Sequence, residues 1–348
     1  MRILITGNMG YVGPVVTEHL RVSIPDATLI GVDTCYFGQC LIGSMPFPES
    51  RLNAQYFADL RNLDPALLQG VDAVIMLAAI SNDPMGNAFE AVTDEINRRA
   101  CVRLARAAKK AGVGHVVFAS SCSVYGFAEG RARDENSEVN PLTAYARSKI
   151  ATEREIEQLA NDEFLITSLR FPTACGFSPR LRFDLVLNDL VASALVTGKI
   201  EVLSDGTPWR PLIDVRDMAL AMEWAIRRPA QQRPFVAVNV GRNDCNYQVK
   251  DLAEAVAELI PGTSISINTA ALPDKRSYEV NFDLYRELAA DFLPKRTLQD
   301  SIISLRSGLE ACGFADPKFR ESDFVRLRVL SGFRRQGLLD ESLYWVRQ

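Results

Sequence analysis

The chain has 348 residues, of which 47% are hydrophobic and 24% charged, and its formal net charge is −4. This length predicts two lobes, and the interleaved charge argues against a nucleic acid or an anionic membrane as the main partner. The apolar runs are too short for a membrane span, and seven scattered cysteines with two histidines favour neither disulfides nor zinc. The sequence begins on a strand-like run without the features of a signal peptide, so we expect a cytoplasmic protein with reduced thiols.

The first 172 residues alternate apolar and amphipathic runs. The predicted strands are residues 2–6, 28–33, 72–79, 115–121 and 164–171. The predicted helices are residues 12–21, 90–111 and 144–160. Strands that alternate with helices of this length indicate parallel strands joined by crossover helices. We therefore expect an α/β fold in which residues 1–172 form a Rossmann-type, doubly wound parallel sheet.

A glycine-rich turn, ITGNMGYVG, follows the first predicted strand. It places Gly7, Gly10 and Gly13 between strand and helix, where glycines allow a tight turn and a close approach to a pyrophosphate. Asp33 ends the second predicted strand, and a carboxylate there would bind ribose hydroxyls and repel a 2′-phosphate. The alternative is a structural glycine turn with a surface aspartate. Together these features predict a site for NAD rather than NADP.

A phenol and an ammonium group share one face of the predicted helix 144–160. Tyr145 and Lys149 are four residues apart, which is about one helical turn. A lysine cation beside the ring would lower the pKa of the phenol and make it a base near neutral pH. The pair follows a predicted strand that ends in small polar side chains, namely Ser120, Ser121, Cys122 and Ser123.

After Pro172 the pattern becomes mixed. The predicted helices there are residues 183–198, 218–228, 248–260 and 297–310, and the predicted strands begin at 209 and 235. We expect residues 173–348 to form mainly a smaller substrate-binding α/β lobe, with about 208–241 completing the first sheet. Arg180 and Arg182 in the loop SPRLRFD, and Asn188 on the next helix, are candidate substrate contacts. The alternatives are solvated charges and a buried polar cap.

The motifs together resemble the extended short-chain dehydrogenase/reductases, and among them the NAD-dependent nucleotide-sugar epimerase/dehydratase family. The resemblance covers nearly the whole chain through TGNMGYVG, LAA at 77–79, SSCSVYG, YARSK, LRFP and SDGTPWRPLIDVRD. It implies NAD as cofactor and a nucleoside-diphosphate sugar as substrate. It also implies a homodimer through helices 90–111 and 144–160, whose apolar faces could instead pack on the sheet.

The resemblance also assigns roles to single residues. Tyr145 matches the catalytic base, Lys149 its partner, and Ser121 the hydroxyl that binds the reacting sugar. Arg210 and Arg276 match arginines that pair with the substrate diphosphate, although either could be a surface charge. The resemblance also implies that Cys122 and Ser123 belong to the substrate site, with Ser123 as a second-line contact to the sugar. The implied cofactor residues are Gly7, Met9, Gly10, Tyr11, Val12, Gly13, Asp33, Asp59, Leu60, Leu77, Ala78, Ala79, Asn97, Ser120, Tyr145, Lys149 and Pro172.

Two positions separate the reactions that this family performs. Its 4,6-dehydratases carry Asp-Glu where this chain has Cys122 and Ser123, and a thiol and a hydroxyl are poor substitutes for that carboxylate pair. Cys122 is expected to be a packed residue. We therefore predict an epimerase that works through a transient keto-sugar and hydride transfer to and from bound NAD. The alternatives are a keto-reductase or dehydrogenase using NAD(P)H, and a catalytically silent NAD-binding scaffold.

Overall fold

A computed structural model of the chain describes residues 1–43, 46–127, 130–229, 232–271 and 277–346. Arg276, one of the two predicted diphosphate contacts, lies outside these residues. The strands are β1 (Arg2–Thr6), β2 (Thr28–Asp33), β3 (Ala54–Phe57), β4 (Ala73–Met76), β5 (His115–Ser121), β6 (Leu165–Phe171), β7 (Thr173–Cys175), β8 (Lys199–Val202), β9 (Trp209–Asp214), β10 (Phe235–Asn239), β11 (Asn246–Gln248) and β12 (Ser264–Ile267). The helices are α1 (Gly13–Ser23), α2 (Asp83–Ala88), α3 (Glu90–Asp94), α4 (Cys101–Lys110), α5 (Ala144–Glu157), α6 (Val186–Thr197), α7 (Val215–Arg227), α8 (Val249–Leu259), α9 (Asp283–Leu288), α10 (Leu298–Ala311) and α11 (Arg326–Arg335).

The central sheet is parallel and, within the described residues, has seven strands in the order β10-β6-β5-β4-β1-β2-β3. Thr6 at the end of β1 lies opposite Val32 on β2 and Met76 on β4. The strand order reverses between β1 and β4, so a crevice opens beyond the carboxyl ends of these two strands. The predicted Rossmann-type α/β fold is confirmed.

Alternate residues of each central strand enter cores on opposite faces of the sheet. Ile3 and Ile5 of β1 join the core beneath α1 and α7, and Leu4 joins the core beneath α4 and α5. Both faces are covered, so these strands appear in the sequence as continuous apolar runs rather than alternating ones. This explains why the predicted strands of the first 172 residues match the observed ones closely.

The second part of the chain contributes to more than one sheet. β10 extends the central sheet beside β6, whereas β9 pairs with β7 and β11, and β8 pairs with β12. Asp214 ends β9 and accepts a hydrogen bond from the Arg216 N–H, so α7 begins at Val215, earlier than the predicted residue 218. The apolar faces of α6, α8 and α10 continue the core that lies beneath α1 and α7. None of the helices described is long and apolar enough to cross a bilayer.

Candidate active site

A cleft with a volume of about 940 Å³ opens at the carboxyl ends of the central strands. The glycine loop, the ends of β2 to β5 and the start of α5 form one side of it, and residues after Pro172 form the other. The predicted site residues that line it are Gly7, Gly10, Tyr11, Val12, Asp33, Asp59, Leu60, Leu77, Ala78, Ala79, Ser120, Ser121, Ser123, Tyr145, Lys149, Pro172, Arg182 and Arg210.

The glycine loop lies directly against neighbouring backbone. Gly7 has a φ of 74°, and a Cβ there would lie 2.4 Å from the backbone nitrogen of Ala78. A Cβ at Gly13 would lie 2.2 Å from the Asn8 carbonyl oxygen, so Gly13 permits close packing and does not line the cleft. No side chain caps the N-terminus of α1, and the residues preceding the helix face the cleft. The loop therefore presents backbone and a helix N-terminus, which suit a pyrophosphate.

Asp33 ties this loop to the end of β2. Its carboxylate accepts hydrogen bonds from the Met9 N–H at 3.0 Å and the Cys35 N–H at 2.8 Å. Burial raises the pKa of Asp33, and the two backbone donors oppose that rise. Met9 does not line the cleft, so its part in a cofactor site is to orient Asp33. The placement of Asp33 fits a carboxylate that binds ribose hydroxyls.

Tyr145, Ser121 and Lys149 lie together at the centre of the cleft. β5 ends at Ser121, and Thr143 caps α5 by accepting a hydrogen bond from the Ala146 N–H, so the first turn of α5 faces the strand end. The Ser121 side chain lies beside the Tyr145 phenol and lowers its pKa. The Lys149 ammonium donates to the Ala119 carbonyl at 2.6 Å and lies 5.5 Å from the centroid of the Tyr145 ring. The structure thus brings the predicted catalytic residues together.

The electrostatics of this pair differ from the sequence-based expectation. Burial raises the pKa of Tyr145 to about 12, although the Ser121 side chain opposes the rise. Burial also lowers the pKa of Lys149 to about 8. The prediction that Lys149 brings the phenol pKa toward neutrality is wrong for this protein without its cofactor, because desolvation of the buried phenolate is the largest influence on that pKa.

Asn97 supports the wall of the cleft from behind. It lies in a π-helical stretch, Glu95–Ala100, that joins α3 to α4. Its side chain accepts from the Ile80 N–H at 2.8 Å, and donates to the Ile80 carbonyl at 3.0 Å and to Ser148 at 3.1 Å. Asn97 is fully buried and does not line the cleft, whereas Ile80 does. Its predicted role in the cofactor site is therefore indirect.

A buried polar network lies behind the end of β5. Ser120 donates a hydrogen bond to Glu153, which forms an ion pair with Arg170 at 2.7 Å. Cys122 is fully buried, and its thiol donates to the Arg170 carbonyl at 3.2 Å. Burial raises the pKa of the Cys122 thiol, and Cys122 does not line the cleft, which fits the expected packed residue.

Arg180 and Asn188 do not reach the cleft either. The Arg180 side chain is fully buried and forms an ion pair with Glu49 at 2.6 Å. Asn188 is also buried; it accepts from the Gly176 N–H at 3.1 Å and donates to the Tyr11 hydroxyl at 3.3 Å. Neither side chain lines the cleft, so a direct contact of Arg180 or Asn188 with substrate has no support from this arrangement.

Sequence reasoning missed several residues of the cleft. Asp83, at the start of α2, accepts a hydrogen bond from Thr143 at 2.7 Å, and its charge raises the pKa of Tyr145. Arg182, by contrast, is a predicted residue that does line the cleft. Its guanidinium donates to both carboxylate oxygens of Asp184, at 2.8 and 2.9 Å. The sequence SNDP at 81–84 carries a helix-start signal, since Asn82 caps α2, but that signal does not identify a site. Other missed lining residues are Tyr36, Ser81, Tyr278 and Arg326.

Comparison with known proteins places this cleft in a known class. The chain belongs to the NAD dependent epimerase/dehydratase family, whose sequence profile matches residues 3–241. The uncharacterized UDP-glucose epimerase YtcB of Bacillus subtilis is 30% identical over 244 residues, which cover 66% of this chain and 73% of YtcB. The UDP-glucose 4-epimerase of Pasteurella multocida is 27% identical over 282 residues, which cover 73% of this chain and 81% of that protein.

A solved structure extends the comparison to the fold. MoeE5 in complex with UDP-glucuronic acid and NAD has a TM-score of 0.76 and 25% identity to this chain, and the match covers 89% of this chain and 99% of MoeE5. The predicted family and an NAD-dependent enzyme are thereby confirmed. The cofactor is NAD, and the residues present fit it: a loop without side chains at Gly7 and Gly10, a helix N-terminus, and Asp33 at the end of β2.

Proposed function

We propose that this protein is an NAD-dependent epimerase of a nucleoside-diphosphate sugar that works through a transient keto-sugar. The observation that carries the proposal is the cluster of Ser121, Tyr145 and Lys149 beside the glycine loop, with no carboxylate at residues 122 and 123. Relatives with about 25–30% identity are UDP-glucose 4-epimerases, and MoeE5 binds UDP-glucuronic acid. UDP sugars are therefore the first substrates to test.

The residues of the cleft divide into a cofactor end and a sugar end. Gly7, Gly10 and Asp33 would hold NAD, and Asp59, which lines the same cleft, would lie near the adenine. When bound, NAD supplies a hydride acceptor that can return the hydride to the sugar. Arg210 lines the cleft on the opposite side, and a guanidinium there suits the diphosphate of a nucleotide sugar.

The chain's own groups handle the proton and the oxygen of the sugar. Tyr145 takes the proton of a ring hydroxyl, and Ser121 hydrogen-bonds the oxygen as it becomes a carbonyl. The Lys149 ammonium favours the phenolate form of Tyr145 during this step. On the return, Tyr145 gives the proton back. Rotation of the keto-sugar between the two steps exchanges its faces and yields the epimer.

The lack of an acid–base pair at residues 122 and 123 supports an epimerase over a 4,6-dehydratase. The Cys122 thiol is buried, and burial raises its pKa, so it is a poor proton donor to a leaving group. Ser123 lines the cleft, and its buried hydroxyl has no hydrogen-bond partner among the described residues, which makes it the candidate at these two positions for a contact with the sugar.

The test is turnover of UDP-glucose, UDP-galactose and UDP-glucuronic acid by the protein as purified, without added cofactor. We expect an equilibrium mixture of epimers by NMR, with no net change in NADH absorbance. Stoichiometric consumption or formation of NADH would instead establish the alternative, a keto-reductase or dehydrogenase. If NAD is bound but none of a wider panel of nucleotide sugars turns over, the catalytically silent scaffold is the better account.

A further inference from the structure

The last described residues of the chain form a strap against the cofactor end of the cleft. The strap consists of residues 339–345, which follow α11 and reverse the direction of the chain. Leu339 bridges Trp345, and the Asp340 N–H donates to the Tyr344 carbonyl at 2.9 Å. The family profile ends at residue 241, so the strap is a feature of this chain that the family match does not cover.

The strap is bonded to the loop that follows β2. The Trp345 indole N–H donates to the Thr34 carbonyl at 2.7 Å, one residue beyond Asp33. The Tyr36 hydroxyl donates to the Leu343 carbonyl, and the Tyr36 and Trp345 rings have centroids 5.8 Å apart. Thr34 and Tyr36 both line the cleft, so the strap holds one piece of its wall from outside.

The strap is also bonded to the loop that follows β3. Arg61 is buried and donates to the Ser342 carbonyl at 2.6 Å, and its guanidinium lies 3.5 Å from the centroid of the Tyr344 ring. The same guanidinium forms an ion pair with Asp59 at 2.6 Å. Asp59 lines the cleft, so Arg61 joins this second piece of wall to the strap.

An apolar cluster fixes the strap at its middle. Leu343 is fully buried among Tyr36, Ile80 and Leu330. Its φ is 58°, a left-handed conformation that leucine adopts only where the surrounding contacts hold it there. Ile80 lines the cleft and is itself held by Asn97, so the strap and the cleft wall share one packed cluster.

We infer that the strap is a positioning element that holds the loops after β2 and β3 around the adenosine half of NAD and so slows release of the cofactor. This rests on the proposed placement of NAD, with its adenosine at Asp33 and Asp59, but not on which sugar reacts. Retention suits an epimerase, because the same NAD must serve both halves of each turnover.

The test measures the release of NADH from the full-length protein by stopped-flow fluorescence, after mixing the NADH complex with excess NAD. Trp345→Ala removes one hydrogen bond and the contact with Tyr36, so we expect roughly tenfold faster release. Trp345→Phe keeps an aromatic ring but loses the hydrogen-bond donor. Its rate of NADH release should therefore lie between those of the wild-type protein and Trp345→Ala. Val346→Ala trims an exposed side chain just beyond the strap and should release NADH at the wild-type rate.

An unchanged release rate in Trp345→Ala would overturn the inference. If that variant does not fold, hydrogen exchange of the wild-type protein tests the inference instead. NADH binding and the stability of the strap are linked reciprocally, so saturating NADH should slow hydrogen exchange of the strap amides of Asp340 and Leu343. Equal exchange rates with and without NADH would overturn the inference. If Trp345→Ala releases NADH faster but the wild-type protein turns over no nucleotide sugar, the proposed reaction fails while the strap inference stands.

Discussion

Tyr145 and Lys149 are one turn apart on α5. Burial shifts the pKa of each group in the direction that favours its neutral form. The phenol pKa is raised to about 12 and the ammonium pKa is lowered to about 8. At neutral pH the lysine is charged and the tyrosine is protonated. The positive charges near the ring, from Lys149 and from bound NAD, therefore have to offset the desolvation of the phenolate for Tyr145 to act as a base.

Tyr145→Phe removes the proposed base while keeping the ring. Because a positioned acid–base group contributes roughly 10²–10⁴-fold to rate, we expect kcat for epimerisation to fall by that factor. The bound NAD, measured after heat release, should be unchanged. Tyr56→Phe, at a partly exposed tyrosine on β3, is the matched control and should keep the wild-type kcat. A Tyr145→Phe variant with normal turnover would contradict the mechanism.

The pH dependence should follow Lys149. A lysine is charged below its pKa, so its support of the phenolate is present below about pH 8 and is lost as the pH rises through that value. We expect kcat to fall above about pH 8 in assays from pH 6 to 10. In Lys149→Arg the guanidinium keeps its charge, so any residual activity should lack this alkaline fall. A flat wild-type profile to pH 10 would count against the role of Lys149.

The turn between β1 and α1 shows how a local motif is constrained by its neighbours. Gly7 and Gly70 both have positive φ values, 74° and 66°, but their surroundings differ. A Cβ at Gly7 would collide with the backbone of Leu77 and Ala78, which follow β4 on the same side of the cleft, and a Cβ at Gly70 would meet nothing within 4 Å.

Gly7→Ala should therefore reduce the free energy of unfolding by more than Gly70→Ala does. The left-handed backbone alone costs about 1–2 kcal/mol for a non-glycine residue, which is the expected loss for Gly70→Ala. Gly7→Ala should lose about a further 1–3 kcal/mol through overpacking, and its bound NAD should fall. Urea unfolding and NAD content measure both effects. Equal losses of stability in the two variants would show that the close approach to Ala78 is unimportant.

The whole molecule is held partly by buried ion pairs between distant segments. Arg180 and Glu49 are 131 residues apart, and their pair joins the loop after β2 to the loop after β7. Arg180→Ala should reduce the free energy of unfolding by about 3–5 kcal/mol, because it leaves a largely buried carboxylate unpaired. Arg99→Ala, at an exposed arginine paired with Asp94, should cost at most about 1 kcal/mol.

The Arg180 variant also separates a structural role from substrate binding. With a structural role, we expect the KM for the nucleotide sugar to change little at a temperature where the variant is folded. A large rise in KM with normal stability would restore the sequence-based assignment of Arg180 to the substrate site.

A homodimer through α4 and α5 stays a prediction. The apolar residues of α4, including Leu104, Ala105 and Ala108, are buried on this chain's own sheet. The outer face of this region carries ion pairs of Arg98, Arg99 and Arg103 with acidic neighbours. A dimer built on that face should be sensitive to salt, and sedimentation equilibrium at low and high ionic strength measures this.

The sequence by itself determined the central sheet except its edge strand β3, together with the glycine turn and the residues at the centre of the cleft. These features depend on local properties that can be recognised in the sequence: strand and helix periodicity, glycine spacing, and the one-turn separation of Tyr145 and Lys149. Short elements such as β7, β11 and α9 were not predicted, because few residues specify them. The tertiary structure alone decided that Arg182 lines the cleft and Arg180 does not, although the two lie in one loop. It also decided the shifted pKa values and the strap, because burial and pairing depend on residues far apart in the sequence, such as Arg180 with Glu49 and Trp345 with Thr34.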